Sequence, residues 1–491
     1  MGWDHSLRLV APEELLSVVG LVLLLVAGWA GDKASRAITW ASVAALAVCA
    51  LMVAPELCNG AMGPDTLAFN GQYRADAFAA FAKLLIYAAA SASLLIAPAF
   101  FERVRAMRAE YPILIVLAVI GMGMMVSASD LITLYIGLEL NSLSAYVLAA
   151  FLRTDDRSAE AGLKYFVLGA LASGILLFGM SLTYGFTGTT SFDGIRAALG
   201  PLHGGALSHG ALFGITFMLA GLAFKISAVP FHMWTPDVYE GAPTPVTTFF
   251  ATAPNVASLA LTMRVALSAF GTQAHAWQQI VIFAALASIV VGALGAIGQR
   301  NIKRLLAYSS INNVGFMLIG LAAATPQGAS AMLVYLAIYV AMSLGGFVAV
   351  LMLKDEHDEP VEDIADLAGL SRHRKVLSLC LAMVMFSLAG IPPLFGFWGK
   401  FVVFQAAVKA GLVPLAAIGI AASVIGAFYY IKIVKVLYFD EPTGKATGTS
   451  DWIHQALLAL TALAISPLGY LGTVWLGAYA DRAAAALFHF A

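Results

Sequence analysis

The sequence predicts an all-α polytopic membrane protein with about 14 transmembrane helices. Three observations lead there. Of 491 residues, 61% are hydrophobic and only 11% charged, with a mean hydropathy of +0.87. The apolar residues gather into runs of about 20, the length that spans a hydrocarbon core. Basic residues alternate between rich and poor loops along those runs. A soluble chain is near half apolar and a quarter charged, so this one has too few charges to solvate a water-facing surface. Soluble enzymes, nucleic-acid binders and disordered scaffolds are excluded, and a net charge of -1 leaves no basic excess for phosphates.

Taken in order, the apolar runs fall at 11–30, 37–54, 76–100, 112–127, 130–152, 160–187, 207–229, 243–269, 277–298, 303–323, 328–353, 376–408, 412–438 and 453–476. The joints at 127–130 and 298–303 are short. Acidic Glu13 and Glu14 stand where a cleavable signal would be basic, so the first run reads as a retained helix. The run 376–408 carries Pro392-Pro393 at its middle and reads as one broken helix. Seventeen of the 27 Lys and Arg fall in loops after odd-numbered helices, against five in the termini and even loops. Positive charge stays on the cytoplasmic side, which puts both termini outside.

The five remaining bases, Lys83, Lys164, Lys225, Arg264 and Lys400, lie inside the expected spans, and Glu139 lies deep in the fifth. A charge at mid-helix costs roughly 2.5–3.5 kcal/mol, so it faces a partner or a wet cavity. Lys83 and Arg264 stand within two turns of a helix end, where a long side chain can snorkel to the interface. Lys225, Lys400 and Glu139 are too deep for that. Burial favours the neutral forms of Lys and Glu alike, which suits both to proton exchange near neutral pH. A facing Glu139–Lys225 pair reads either as a proton switch or as a structural salt bridge. Lys164 either neighbours Glu139 or snorkels.

Both deep lysines adjoin helix breakers. Lys225 is followed by Pro230 and His232, then Pro236, Pro243 and Pro245, while Lys400 closes Pro392-Pro393-Leu-Phe-Gly-Phe-Trp-Gly. Irregular backbone at membrane depth is tolerated only where protein buries it or water reaches it. The interrupted helices are the seventh and twelfth, an odd offset that reverses direction across the membrane. Two inverted five-helix repeats follow, 111–270 (helices 4–8) and 271–440 (helices 9–13), flanked by 1–110 and 441–491. His232 reads as a proton relay or a hydrogen-bonded structural residue. Cys49, Cys58 and Cys380 are scattered without metal-ligand spacing and read as buried small hydrophobes, and no Gly-rich nucleotide loop is visible.

Gly137-Leu-Glu139-Leu, Leu163-Lys164-Tyr-Phe, the Pro-rich stretch Phe224 to Val246, Gln299 to Ile311 and Gly396-Phe-Trp-Gly-Lys400-Phe occur in one order. Together they resemble the subunit N family of the bacterial proton-pumping NADH:quinone oxidoreductase, respiratory complex I, an antiporter-like membrane subunit. The wording Pro-Asp-Val-Tyr-Glu-Gly-Ala-Pro (236–243) is closer to that family than to its antiporter-like sisters. The resemblance implies a proton pathway in which Glu139 biases Lys225 at the centre, Lys164 and His232 connect, and Lys400 serves the exit side. It implies no cofactor in this chain, with FMN, iron–sulfur clusters and quinone in partner subunits. The implied partners are the other antiporter-like and small membrane-arm subunits. One departure stands out: Phe249-Phe-Ala-Thr-Ala-Pro-Asn255 places Asn255 where the family carries a lysine, and Asn cannot take or release a proton at physiological pH. A subunit of a cation/proton (Na+/H+) antiporter is the alternative.

Overall fold

A computed structural model describes residues 2–200, 207–448 and 451–489. These form twenty α-helices. The first ten are α1 (Trp3–Ala30), α2 (Ser35–Cys58), α3 (Ala77–Arg103), α4 (Glu110–Ser127), α5 (Leu131–Ala149), α6 (Asp156–Thr187), α7 (Phe192–Ala198), α8 (His209–Lys225), α9 (Trp234–Gly241) and α10 (Thr244–Phe250). The rest are α11 (Ala253–Arg264), α12 (Ala274–Ile297), α13 (Ile302–Ala322), α14 (Pro326–Leu351), α15 (Leu370–His373), α16 (Lys375–Ala389), α17 (Phe395–Lys409), α18 (Val413–Phe439), α19 (Trp452–Ile465) and α20 (Thr473–Phe488). One small antiparallel ribbon, β1 (Leu67–Ala68) and β2 (Tyr73–Arg74), pairs Leu67 with Arg74 and Ala68 with Tyr73.

Every apolar run read from the sequence is helical over most of its length. Ten helical segments among the described residues are long and apolar enough to cross a membrane, or eleven if the bent pair at the C-terminus counts as one. The first such segment, Trp3–Cys58, holds 56 residues. At 1.5 Å per residue it would extend about 84 Å, far beyond a hydrocarbon core of about 30 Å. It instead turns back at Gly31–Ala34, and Cys49 Sγ on α2 donates to the Pro12 carbonyl of α1 at 3.5 Å. It is therefore a two-helix hairpin.

The two shortest joints are real boundaries fixed by caps. Asp130 Oδ1 accepts from the Ile132 amide at 2.7 Å at the start of α5, and Asn301 Oδ1 accepts from Lys303 N at 2.8 Å at the start of α13. Each cap satisfies amides that a new helix leaves without intrahelical partners. Helices α4 and α5 then pack backbone to backbone: a Cβ on Gly121 would meet the Gly137 carbonyl at 2.6 Å, and one on Gly137 would meet the Gly121 carbonyl at 2.8 Å. Small residues permit this approach, which replaces the hydrophobic drive that lipid does not supply.

Four expectations are corrected. The run 243–269 is not one continuous helix: it breaks at Ala251–Thr252 between α10 and α11, just before Pro254, and ends in a π-helical turn at Val265–Ala269. The run 453–476 is bent by 64° at Pro467 and continues in α20 to Phe488. Cys58 is exposed, unlike Cys49 and Cys380. Lys83 and Arg264 do not snorkel, because each is only 1% exposed and holds a carboxylate.

One of these ion pairs fastens α1 to α3, and the other fastens α3 to the rest of the bundle. Lys83 Nζ lies 2.7 Å from Glu13 Oε1 and donates to the Tyr73 hydroxyl at 2.6 Å, and Tyr73 donates in turn to Glu13 Oε2 at 2.8 Å. α1, α3 and the ribbon thus share one buried triad. Arg264, at the end of α11, forks onto Asp76 at 2.7 and 2.9 Å and donates to the Val126 carbonyl at 2.9 Å, joining α3, α4 and α11. Removing one member of a buried pair strands the other charge, at a cost of roughly 3–5 kcal/mol, whereas replacing both by apolar residues is often neutral. Lys83→Met alone is therefore expected to lower the thermal midpoint of the purified protein, and adding Glu13→Leu to recover most of that loss. A single variant as stable as the parent would show that the triad does not fasten α1.

Candidate functional site

Lys225 is the last residue of α8, and the backbone beyond it leaves the helix, with Ser227 at φ 58° and Pro230 three residues on. A break at this depth frees backbone groups that lipid cannot satisfy. Side chains of the chain take up two of them: the Val229 amide donates to Ser288 Oγ of α12 at 2.9 Å, and Trp234 Nε1 donates to the Phe224 carbonyl at 2.9 Å, while the Thr235 hydroxyl donates to the Ser227 hydroxyl at 2.6 Å across the break. Lys225, 8% exposed, donates to Ser142 Oγ on α5 at 2.7 Å and lies 5.8 Å from the Tyr146 and Phe224 ring centres. Glu139, Ser142 and Tyr146 share one stripe of α5 at helical spacing. Glu139 makes no ion pair among the described residues, and its buried Oε1 has no hydrogen-bond partner there. In place of the expected Glu139–Lys225 contact, Lys225 bonds a serine hydroxyl that itself donates to the Leu138 carbonyl at 2.6 Å.

The second break lies between α16 and α17. Gly390 takes the left-handed conformation (φ 80°), which costs glycine nothing, and ends α16. Lys400, one turn into α17 and 6% exposed, turns back and donates to the carbonyls of Leu388 and Ala389, both at 3.0 Å. Its ammonium thereby caps the negative end of α16 and sits 4.4 Å from the Phe316 ring centre. Neither Lys225 nor Lys400 holds a carboxylate among the described residues, in contrast to Lys83 and Arg264.

A buried band of hydroxyls and amides on α9, α11, α13, α14 and α18 adjoins both sites: the ring of Trp234, bonded to the Phe224 carbonyl beside Lys225, lies 6.2 Å from the Tyr239 ring centre, and Tyr335 lies against Gly399 beside Lys400. Asn255 Nδ2 reaches Ser310 Oγ at 3.4 Å, the Ala251 carbonyl at 3.2 Å and the Tyr239 hydroxyl at 3.5 Å, and Tyr339 donates to Ser310 at 2.7 Å. A second group follows one turn along α13 and α14. Ser309 and the Tyr430 hydroxyl are 2.5 Å apart, Asn313 Nδ2 donates to Tyr430 at 3.3 Å, and Tyr335 donates to Asn313 Oδ1 at 2.6 Å. The Tyr335 ring packs against Gly399, next to Lys400. Asn255 thus belongs to a neutral cluster. Its tyrosine members carry no charge and recur at no distinctive spacing, so sequence reasoning passed over Tyr239, Tyr335, Tyr339 and Tyr430. Tyr239, Ser309 and Ser310 fall inside stretches singled out in the sequence, but not for their hydroxyls.

Lys164 lies elsewhere. It bonds Glu160 at 2.6 Å and Asp237 at 2.8 Å, neither approaching Glu139 nor reaching outward alone. Arg304 joins Asp237 at 2.7 Å and Glu240 at 2.9 Å, and Arg157 joins Glu362 at 3.1 Å. Alternating charges from α6, α9 and α13 line a cleft of about 240 Å³. The acids of the Pro-Asp-Val-Tyr-Glu stretch are therefore anchors for bases on neighbouring helices. His232 lies within the first break, half-buried, with Nδ1 free of hydrogen-bond partners among the described residues. No three His, Cys, Asp or Glu side chains among the described residues converge in a way that could hold a metal ion.

A helical membrane bundle with two interrupted helices and a buried lysine at each interruption has the build of an antiporter-like membrane protein. Residues 128–426 match the NADH:quinone oxidoreductase/Mrp antiporter transmembrane family, and the chain belongs to it. It is 68% identical over 488 residues to NADH-quinone oxidoreductase subunit N of Erythrobacter litoralis (strain HTCC2594), covering 99% of both chains. The protein of the same name from Rhizorhabdus wittichii is 59% identical over 490 residues, covering 99% of this chain and 100% of that one. Among solved structures, a chain of respiratory complex I from Thermus thermophilus with bound Aureothin superposes with a TM-score of 0.79 at 31% identity, over 95% of this chain and 98% of that one. A chain of the Mrp complex from Dietzia sp. DQ12-45-1b, at 21% identity and TM-score 0.82 over 99% and 100%, shares the fold.

The charged cleft carries a pH dependence through Glu362, which lies in the loop before α15. Burial raises its pKa, but Lys303, Asn301 and Arg157 together hold the carboxyl below its ordinary 4.5. A depressed carboxylate stabilises the folded state above its ordinary range, and that contribution is lost as pH falls through the folded value. The segment 354–363 is therefore expected to stay docked at neutral and mildly acid pH and to open only as pH falls below the ordinary carboxylate range. Hydrogen exchange in that segment, corrected for intrinsic rates, reads the transition. Glu362→Gln should leave the segment open at neutral pH, and unchanged protection in that variant would refute the docking role.

Proposed function

We propose that this chain is a membrane-arm subunit of the H+-translocating NADH:quinone oxidoreductase and carries one proton pathway coupled to electron transfer from NADH to quinone. The observation that carries the reading is the contrast between two kinds of buried base. Lys83 and Arg264 hold carboxylates and cannot change charge without breaking an ion pair. Lys225 and Lys400 face only a hydroxyl and carbonyls, so each can exchange a proton while keeping its hydrogen bonds. Glu139, next to Ser142 on the same stripe of α5, biases Lys225 by its charge. Lys164, in the charged cleft, and His232, in the break, serve as connecting groups.

On this reading the chain crosses a bacterial inner membrane fourteen times with both termini outside. The repeats 111–270 and 271–440 are related by inversion, between 1–110 and 441–491. FMN, the iron–sulfur clusters and quinone belong to partner subunits, and the neighbours are antiporter-like and small membrane-arm subunits. The identity to relatives named as oxidoreductase subunits favours this assignment over a Na+/H+ antiporter subunit, which the shared fold alone would also suit.

Tagged protein purified from mildly solubilised membranes is expected to bring NADH:quinone reductase activity with flavin and iron–sulfur spectra. Arrival with antiporter subunits only would transfer the assignment to the alternative. In the assembled complex Lys225→Ala should cut coupled quinone reduction and proton pumping together by about tenfold or more, the low end of what a lost proton-transfer group costs. Normal pumping in that variant would remove Lys225 from the pathway.

A further inference from the structure

The two clusters that adjoin Lys225 and Lys400 hold hydroxyls and amides and no Asp, Glu, His, Lys or Arg side chain. Amides hold their protons at physiological pH, so Asn255 and Asn313 can orient neighbours but not pass a proton on. Hydroxyls can do both, since an oxygen accepts one proton as it releases another. The chain supplies two such couples: Tyr339 of α14 with Ser310 at 2.7 Å, and Tyr430 of α18 with Ser309 at 2.5 Å. Ser309 and Ser310 are consecutive on α13. Each couple has an asparagine nitrogen on it: Asn255 Nδ2 on Ser310, and Asn313 Nδ2 shared between Ser309 and Tyr430, both at 3.3 Å. That donor occupies one lone pair and limits how the hydroxyl can turn. Asn313 further ties the second couple to Tyr335, whose ring rests on Gly399 beside Lys400.

We propose that the Tyr339–Ser310 and Tyr430–Ser309 couples are the proton relay of this subunit between its two buried lysines, with Asn255 and Asn313 as positioning residues. The inference rests on the proton pathway proposed above. In one passage the oxygen of each hydroxyl gains a proton from the Lys225 side and gives its own toward Lys400. No bond is left altered once the hydroxyls turn back, and no charge stays in the band. Water makes the steps into and out of the couples, where the intervals exceed a hydrogen bond.

The test uses the whole assembled complex in vesicles, with flavin and iron–sulfur content confirming assembly. Tyr339→Phe and Ser310→Ala each delete one hydroxyl and are expected to slow proton pumping about tenfold and to change its solvent deuterium isotope effect. Asn255→Lys in the Tyr339→Phe chain puts an exchangeable proton within reach of Ser310 and should restore most of the rate, which a purely structural role for Tyr339 would not allow. If Tyr339→Phe and Ser310→Ala pump at the parent rate with an unchanged isotope effect while Lys225→Ala is slow, the relay is overturned and the pathway stands. If Lys225→Ala also pumps normally, the pathway itself falls. Failure of an assembled Asn255→Lys double variant to regain rate counts against the relay, and if that variant does not assemble, the isotope effect alone decides.

Discussion

Inside a hydrocarbon layer every charge and every freed backbone group must find its partner within the protein, and the architecture of this chain follows from that demand. The break after Lys225 persists because Ser288 and Trp234 take up backbone groups that the helix released, with Thr235 bonded to Ser227 across it. The break before Lys400 persists because the lysine itself takes up the end of α16. The polar residues around the breaks are thus first a condition of folding. Their chemistry becomes available because the same groups line up across the bundle.

The demand is met in two ways with different consequences. Charge against charge, as in Glu13–Lys83 and Asp76–Arg264, closes the account and fixes helices in place. Charge against a neutral oxygen, as at Lys225 and Lys400, leaves the ammonium hydrogen-bonded without committing its proton. Both solutions occur among residues equally hidden from solvent, so burial alone does not separate a fastening from a working site. The identity of the partner does.

The sequence made the helical, membrane-spanning class and the depth of Lys225, Lys400 and Glu139 legible, because hydropathy and the cost of burying charge are written residue by residue. The two breaks were legible for the same reason, through proline. Partners brought together from distant parts of the chain were not. Glu13 pairs with Lys83 across 70 positions and Asp76 with Arg264 across 188, so both bases looked like snorkelling residues at helix ends. Lys164 looked placed either to meet Glu139 or to snorkel, but Asp237, 73 residues on, claims it. The hydroxyl band was the least visible part, since Tyr and Ser on an apolar helix carry no signal until their neighbours are known. The bend at Pro467 and the break near Thr252 passed unnoticed because the apolar run continued through them.

The close seat of α5 on α4 has a mechanical meaning. Gly121 and Gly137 bring the two main chains together with no side chain between them to yield, and Glu139 and Ser142 follow on the same helix within five residues. That wall of the site behaves as a stator. Lys225 stands at the other side, on the last turn before an irregular segment, so its arm is the compliant one. Any stroke that lengthens or shortens the Lys225–Ser142 bond is made by the broken helix moving against a fixed rail.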